Sequence, residues 1–456
     1  MKSSRREFIR RAAAFGAFNI VPAKVLWGAD APSNQLTRAL IGFGAIAHSE
    51  NHLPFRGSRL VGLCDPDQLH VKEGLACAKK AKWGDIRAYR DFMELLDDKG
   101  VDIVHICTPP HWHGVMSVMA ARAGKDIWCE KPMTRTVGEG IRVRDYIMSQ
   151  KKMFRLNTWF RFKDPFYGFG KPVKPVRQLI ENRVLGDGPV KCVFGAGQGF
   201  NWKFFWSGKV NAPVEPVPPT LDWDMWLGPA PFKPYSRHRC HRSFRGYWDY
   251  DAGGLGDMAQ HYLDPLQYLL CKDETSPVRV DYVGPRHHPE AVGRFDRITL
   301  TYADGTEIIL DGNESLKDAP FLRGSNGWTL WPCLNAKGQV GSWTTPKESA
   351  KMKIRLKDDK GRFVDAEKIL ADLPAPAPQQ TDFMDSVRTR RKFCLNEETG
   401  FRSCTMFNLA IVAERLGRGF DFDPVTLHAK GDEAAERYLY QEDRMREPWK
   451  REFFKA

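Results

Sequence analysis

The chain has 456 residues, a formal net charge of +13, 42% hydrophobic residues and 27% charged residues. This is the balance of a globular protein with about two or three domains and a sizeable core, which excludes a disordered or fibrous chain. The basic residues are spread along the chain with no long Lys/Arg block beyond its first residues, so a solvated basic surface is expected and a nucleic-acid partner is not.

The first segment, "SSRREFIRRAAAFGAF" from Ser3, has Arg5 and Arg6 paired, Phe8 two residues on, and a mild apolar stretch from Ala12 to Ile20. It resembles a twin-arginine export signal. The apolar part is shorter than the roughly 20 residues that span a bilayer, and no later stretch reaches that length. Residues 1–31 therefore read as a signal peptide without a membrane span, and a periplasmic or otherwise exported protein is expected. Ten cysteines would suit disulfides in such a compartment. Cys64, Cys107 and Cys129, however, sit in apolar runs and read as small core residues.

From residue 35 to 158 short apolar runs alternate with amphipathic ones. "RALIGFG", "RLVGLCD", "VDIVHICTP" and "KDIWCEKP" read as buried strands. "YRDFMELLDDKG" reads as a helix ending at Gly100, and "HGVMSVMAARAGK" as one ending at Gly124. The order predicts an α/β domain with a parallel, doubly wound sheet. Residues 159–456 read differently. "PVKCVFGAGQGF", "RITLTYADGTEIILDG" and "GWTLWP" are strand-like, with a turn at Ala303–Gly305, and "LPAPAPQQ" is an extended connection. In a late helix Leu409, Val412, Ala413 and Leu416 share a face before Gly417. An α+β domain with a large, mostly antiparallel open sheet is expected, and that sheet offers a surface for a homo-oligomer.

The first strand runs into "GFGAIA", a Gly42-x-Gly44-x-x-Ala47 loop that also contains Ala45 and Ile46, and Asp65 closes the next strand 21 residues after Gly44. Gly42 permits the tight turn, Gly44 lets backbone N–H groups approach a pyrophosphate, and Ala47 allows close helix packing. A carboxylate at Asp65 accepts from ribose hydroxyls and repels a 2′-phosphate, so NAD is expected, with NADP as the alternative.

"CEKP" ends another strand, which places Lys131 at the ligand-binding edge of a parallel sheet, and Pro132 biases it away from helix. In "GGLGDMAQHYLD", Asp257 and His261 are four residues apart on one helix face behind glycines 253, 254 and 256. An imidazole beside a carboxylate suits a general base with its orienting partner.

The order of GFGAIA, Asp65, "TPPHWH", "EKP" and "GGLGDMAQH" resembles the Gfo/Idh/MocA oxidoreductases along nearly the whole chain. The stretch from "YRDFMELL" to "CEKP" is the most specific part. The resemblance implies an NAD(P)-dependent enzyme acting on a sugar or cyclitol hydroxyl. Lys131 then stabilises developing charge on oxygen, His261 removes the hydroxyl proton, and Asp257 orients His261. Thr108, Pro109 and His111 match the cofactor-lining loop, and Glu130 the acid beside the lysine. Where relatives often have a Gly and a Gln ahead of an arginine, this chain has "FRLNTWFRF". Trp159 and Arg161, with Tyr250, are the substrate candidates.

Other readings compete locally. Cys107, His111 and His113 could ligate zinc, but no second ligand cluster lies nearby in sequence, so no metal is expected. "RHRCHRSFRGYW" holds His238, Cys240, His241 and arginines 237, 239, 242 and 245, which could grip an anion such as a uronate; a solvated basic loop is the preferred reading. Trp202, Phe204, Phe205, Trp206, Tyr247, Trp248 and Tyr250 offer sugar-stacking faces or core. The leading expectation is an exported NAD-dependent oxidoreductase that folds around its cofactor before export and takes a small carbohydrate. A glycoside-cleaving enzyme working through a transient keto-sugar and a catalytically silent carbohydrate-binding protein are the alternatives.

Overall fold

The computed structural model describes residues 35–47, 57–158, 161, 166–167, 171–195, 206–334 and 351–455. The signal-like leader, the helix expected after the glycine loop, Trp159, Trp202, Phe204 and Phe205 lie outside them.

The first domain runs β1 (Leu36–Ile41), β2 (Ser58–Cys64), α1 (Gln68–Lys80), β3 (Arg87–Tyr89), α2 (Phe92–Asp97), β4 (Ile103–Ile106), α3 (His113–Arg122), β5 (Asp126–Glu130), α4 (Val137–Ser149) and β6 (Phe154–Asn157). Its strands make one parallel sheet in the order β3-β2-β1-β4-β5-β6. Parallel strands are covered on both faces, and every residue of β4 and β5 is buried. The order reverses between β1 and β4, which opens a crevice at their carboxyl ends. α2 stops three residues before Gly100, because the Asp98 carboxylate accepts from the Gly100 N–H and the Tyr89 hydroxyl instead of letting the helix continue.

The second domain carries β7 (Lys191–Gly195), α5 (Gly253–Leu269), β8 (Arg279–Val283), β9 (Arg297–Thr301), β10 (Glu307–Asp311), β11 (Leu322–Arg323), β12 (Thr329–Trp331), β13 (Arg355–Lys357), α6 (Glu397–Leu416) and β14 (Phe420–Asp421). The strands form an eight-stranded sheet in the order β13-β12-β11-β7-β10-β9-β8-β14. It is antiparallel except where β10 runs parallel to β7. The expected turn joins β9 to β10, with Gly305 at φ +83. α6 is buried nearly all round, not on one face only, because it lies between α5, α4 and the sheet. One hydrophobic core runs through both domains.

All ten cysteines are free thiols, and seven of them are buried. Among the described residues no helix is long and apolar enough to cross a membrane.

Candidate active site

The crevice between β1 and β4 widens into a cavity of about 480 Å³. Gly42, Phe43, Gly44, Ala45 and Ile46 line it, with Asp65, Thr108 and Pro109. Gly42 has φ +93, and a Cβ there would stand 2.8 Å from the Cys107 backbone, so the turn requires glycine. Among the described residues, a Cβ on Gly44 would meet no atom within 4 Å. The loop thus leaves a cradle at the switch point of the sheet, which fits a pyrophosphate.

Asp65 is held from three sides. Its carboxylate accepts from the Phe43 N–H at 2.7 Å and the Asp67 N–H at 2.8 Å, and His70 Nδ1 lies 3.2 Å from Oδ2. This aims the carboxylate along the cavity wall, where a ribose hydroxyl would meet it.

Lys131 follows β5. Its Nζ donates to the backbone carbonyl of Asp257 and lies 3.1 Å from Asp257 Oδ1. Arg245 Nε is 2.7 Å from the same oxygen, and the Trp206 indole donates to Asp257 Oδ2 at 3.1 Å. Burial pushes the Asp257 carboxyl up, but Arg245 and Lys131 more than offset it and hold it well below the usual carboxylate range. Arg245 also lines the cavity, so the lysine–aspartate pair adjoins its wall. His261 lies one turn further along α5 and is buried.

Several expectations change. Asp257 gives its oxygens to Lys131, Arg245 and Trp206, and among the described residues no ion pair joins it to His261. It anchors the lysine instead of orienting the histidine. Glu130 spends its carboxylate on its neighbours: it accepts from Asn157 at 2.7 Å and from His105 Nε2 at 3.0 Å. Arg38 lies 2.9 Å from His105 Nδ1 and donates to it, which leaves the proton of a neutral His105 on Nε2. Burial pushes the Glu130 carboxyl up to about 7.

His111 does not face the cavity either. Its Nε2 donates to the Trp226 carbonyl at 3.0 Å, and burial pushes its pKa down to about 3. His113 lies between the Thr108 and Pro132 carbonyls at 2.8 and 2.6 Å. These two histidines therefore do not converge with Cys107 on a zinc ion.

Arg161 is fully buried and spends its guanidinium on Asp264 and Asp273, so it is a core ion pair. Tyr250 and Tyr247 pack in a small core with Trp223, Trp226, Tyr235 and Phe244. Arg245 and Trp206 are the site residues that the sequence reading left among generic basic and aromatic residues. No local signal separates them from their neighbours, because only the fold brings them onto Asp257.

The oxidoreductase-family model for the NAD-binding Rossmann fold matches residues 36–158, and that for the family's C-terminal alpha/beta domain matches 169–337 and 348–451. Levoglucosan dehydrogenase of Pseudarthrobacter phenanthrenivorans is 26% identical over 198 residues, 43% of this chain and 40% of that protein. The match thus spans about two-fifths of that curated relative. A glycosyl hydrolase family 109 protein of Stenotrophomonas maltophilia is 29% identical over 370 residues, 75% of this chain and 77% of that protein. The crystal structure of aldose-aldose oxidoreductase from Caulobacter crescentus shares the fold at 19% identity and a TM-score of 0.52, over 85% of this chain and 100% of that one. With both family models matched across the two domains that build the cavity, the chain belongs to the Gfo/Idh/MocA oxidoreductase family.

Proposed function

We propose that the protein is an NAD-dependent oxidoreductase acting on a sugar or glycoside hydroxyl. The observation that carries the reading is the Lys131–Asp257 pair at 3.1 Å, adjoining through Arg245 a cavity walled by the Gly42–Ile46 loop. Bound NAD would supply the hydride acceptor, held by the Gly42–Ile46 backbone, Asp65, Thr108 and Pro109. Asp257, kept ionised by Arg245 and Lys131, holds the Lys131 side chain in place. The ammonium then donates to the substrate oxygen as negative charge develops there, and His261 takes the hydroxyl proton.

The dehydrogenases and inositol dehydrogenases among the relatives support this substrate class. The glycosyl hydrolase relative, which matches three quarters of the chain, favours a second reading. A hydroxyl oxidised transiently acidifies the neighbouring C–H, the aglycone is eliminated, water adds across the double bond so formed, and the ketone is reduced again. The twin-arginine-like leader supports export of a protein already folded around its cofactor, and the open sheet suits pairing with a second copy.

The experiment is to offer free sugars and p-nitrophenyl glycosides with NAD+ to the parent protein and to Lys131→Ala. NADH without p-nitrophenol, lost in the variant, supports the dehydrogenase. Release of p-nitrophenol without net NADH supports the cleaving enzyme. No Lys131-dependent turnover of either kind leaves a carbohydrate-binding protein.

A further inference from the structure

The second domain reaches across the cavity. Residues 220–246 are sewn to the first domain at one end by backbone pairing: Gln68 N–H donates to the Thr220 carbonyl and Asp222 N–H to the Pro66 carbonyl, each at 2.9 Å, with a bridge between Asp67 and Leu221. Four residues on, the Trp226 carbonyl accepts from both His111 and Trp112. Met225 and Trp226 here, with His241, Arg242, Phe244 and Arg245 further along the segment, line the same cavity as the glycine loop.

His241 stands out among them. It has φ +48, a left-handed conformation that strains a non-glycine residue. Such outliers persist where the surroundings need the geometry, often at ligand sites. The turn brings its ring to 4.8 Å, centroid to centroid, from His70, and its Nε2 to 3.4 Å from Asp67 Oδ2. His70 and His241 both line the cavity, and their side chains are 23% and 43% exposed, so both can meet a ligand.

Asp65 explains why a ligand needs them. A carboxylate has about four acceptor sites. The Phe43 and Asp67 N–H groups take two, and His70 Nδ1 a third. One remains for a ribose that presents two hydroxyls. With Nδ1 turned to Asp65, His70 directs its other nitrogen, Nε2, away from that carboxylate.

We propose that His70 and His241 complete the adenosine-ribose site, one from each domain, so that the second domain itself retains the cofactor. This rests on reading the cavity as a dinucleotide site. Cofactor release then requires the 220–246 segment to give up its ribose contact.

The test is to load the full-length protein with NADH and chase it with excess NAD+, following the fluorescence of bound NADH. His241→Gly keeps the backbone conformation and removes only the ring. Release at least tenfold faster in this variant is expected, with a smaller increase in His70→Gln. An NADH analogue lacking an adenosine-ribose hydroxyl should leave the parent faster than NADH, and that difference should shrink in His241→Gly. Release within twofold of the parent, or an undiminished analogue difference, overturns the proposal. The same three groups, Asp67, His70 and His241, offer ligand atoms for a metal ion. Stoichiometric zinc in the parent, whose removal by EDTA reproduces the His241→Gly release rate, also overturns it. A parent that binds no dinucleotide sinks the functional reading as well, which separates the two failures.

Discussion

Helix α5 carries two aspartates that each meet a buried cation, Asp257 near its start and Asp264 about two turns later. Asp264 and Arg161 are 0% exposed and close on each other and on Asp273. Asp257 and Lys131 keep 12% and 9% exposure and adjoin the cavity through Arg245. The chemistry of the pairs is alike; access differs. A sealed pair holds the domain together, whereas a pair with an open edge can present a proton donor to a ligand.

The largest effect that sharpens this contrast is on turnover. Lys131→Ala should lower kcat/KM by about 10²–10⁴, the usual range for a lost acid–base or charge-stabilising group. NADH fluorescence should still report cofactor binding, and thermal unfolding should move little. Arg161→Ala should do the reverse. Leaving Asp264 unpaired should cost about 3–5 kcal/mol in denaturant unfolding, and the folded remainder should still bind NAD+. If Arg161→Ala left stability unchanged but abolished turnover, the contrast would be broken.

The glycine loop allows a finer version. Gly42→Ala should destabilise the fold, because its φ is positive and its Cβ strikes the Cys107 backbone. Gly44→Val should leave thermal unfolding unchanged and abolish NAD+ binding by filling the cradle. Equal effects of both on stability would show that Gly44 is a packing residue.

The smallest effect concerns Glu130. Its carboxyl is raised to about 7 by burial, above the ~4.3 of an unfolded chain. A raised folded pKa gives stability that is complete below ~4.3 and declines as pH rises towards 7, at less than about 1.4 kcal/mol per pH unit. Glu130→Gln should flatten that decline in denaturant melts taken between pH 4.5 and 7.

The first domain was legible because parallel strands are buried on both faces and read as apolar runs, and because Gly42, Gly44 and Asp65 stand at spacings a dinucleotide loop requires. Lys131 and Asp257 were legible as residues, but not as partners, since a contact across 126 positions leaves no local trace. Arg161 misled for the same reason: a lone arginine after a strand looks alike whether it faces substrate or Asp264. Glu130 misled because its partners, His105 and Asn157, lie 25 and 27 positions away and leave no local trace. The 220–246 segment gave no signal, since it is held to the first domain largely by backbone groups, which every sequence has.

A dinucleotide held in the cavity would copurify with the protein. The protein, expressed with its leader and purified, is denatured, and the released small molecule is identified by absorbance and mass. The prediction is about one NAD(H) per chain. Released NADP(H) would contradict the reading of Asp65. A protein that carries no dinucleotide and binds neither added NAD+ nor NADP+ would contradict the account itself.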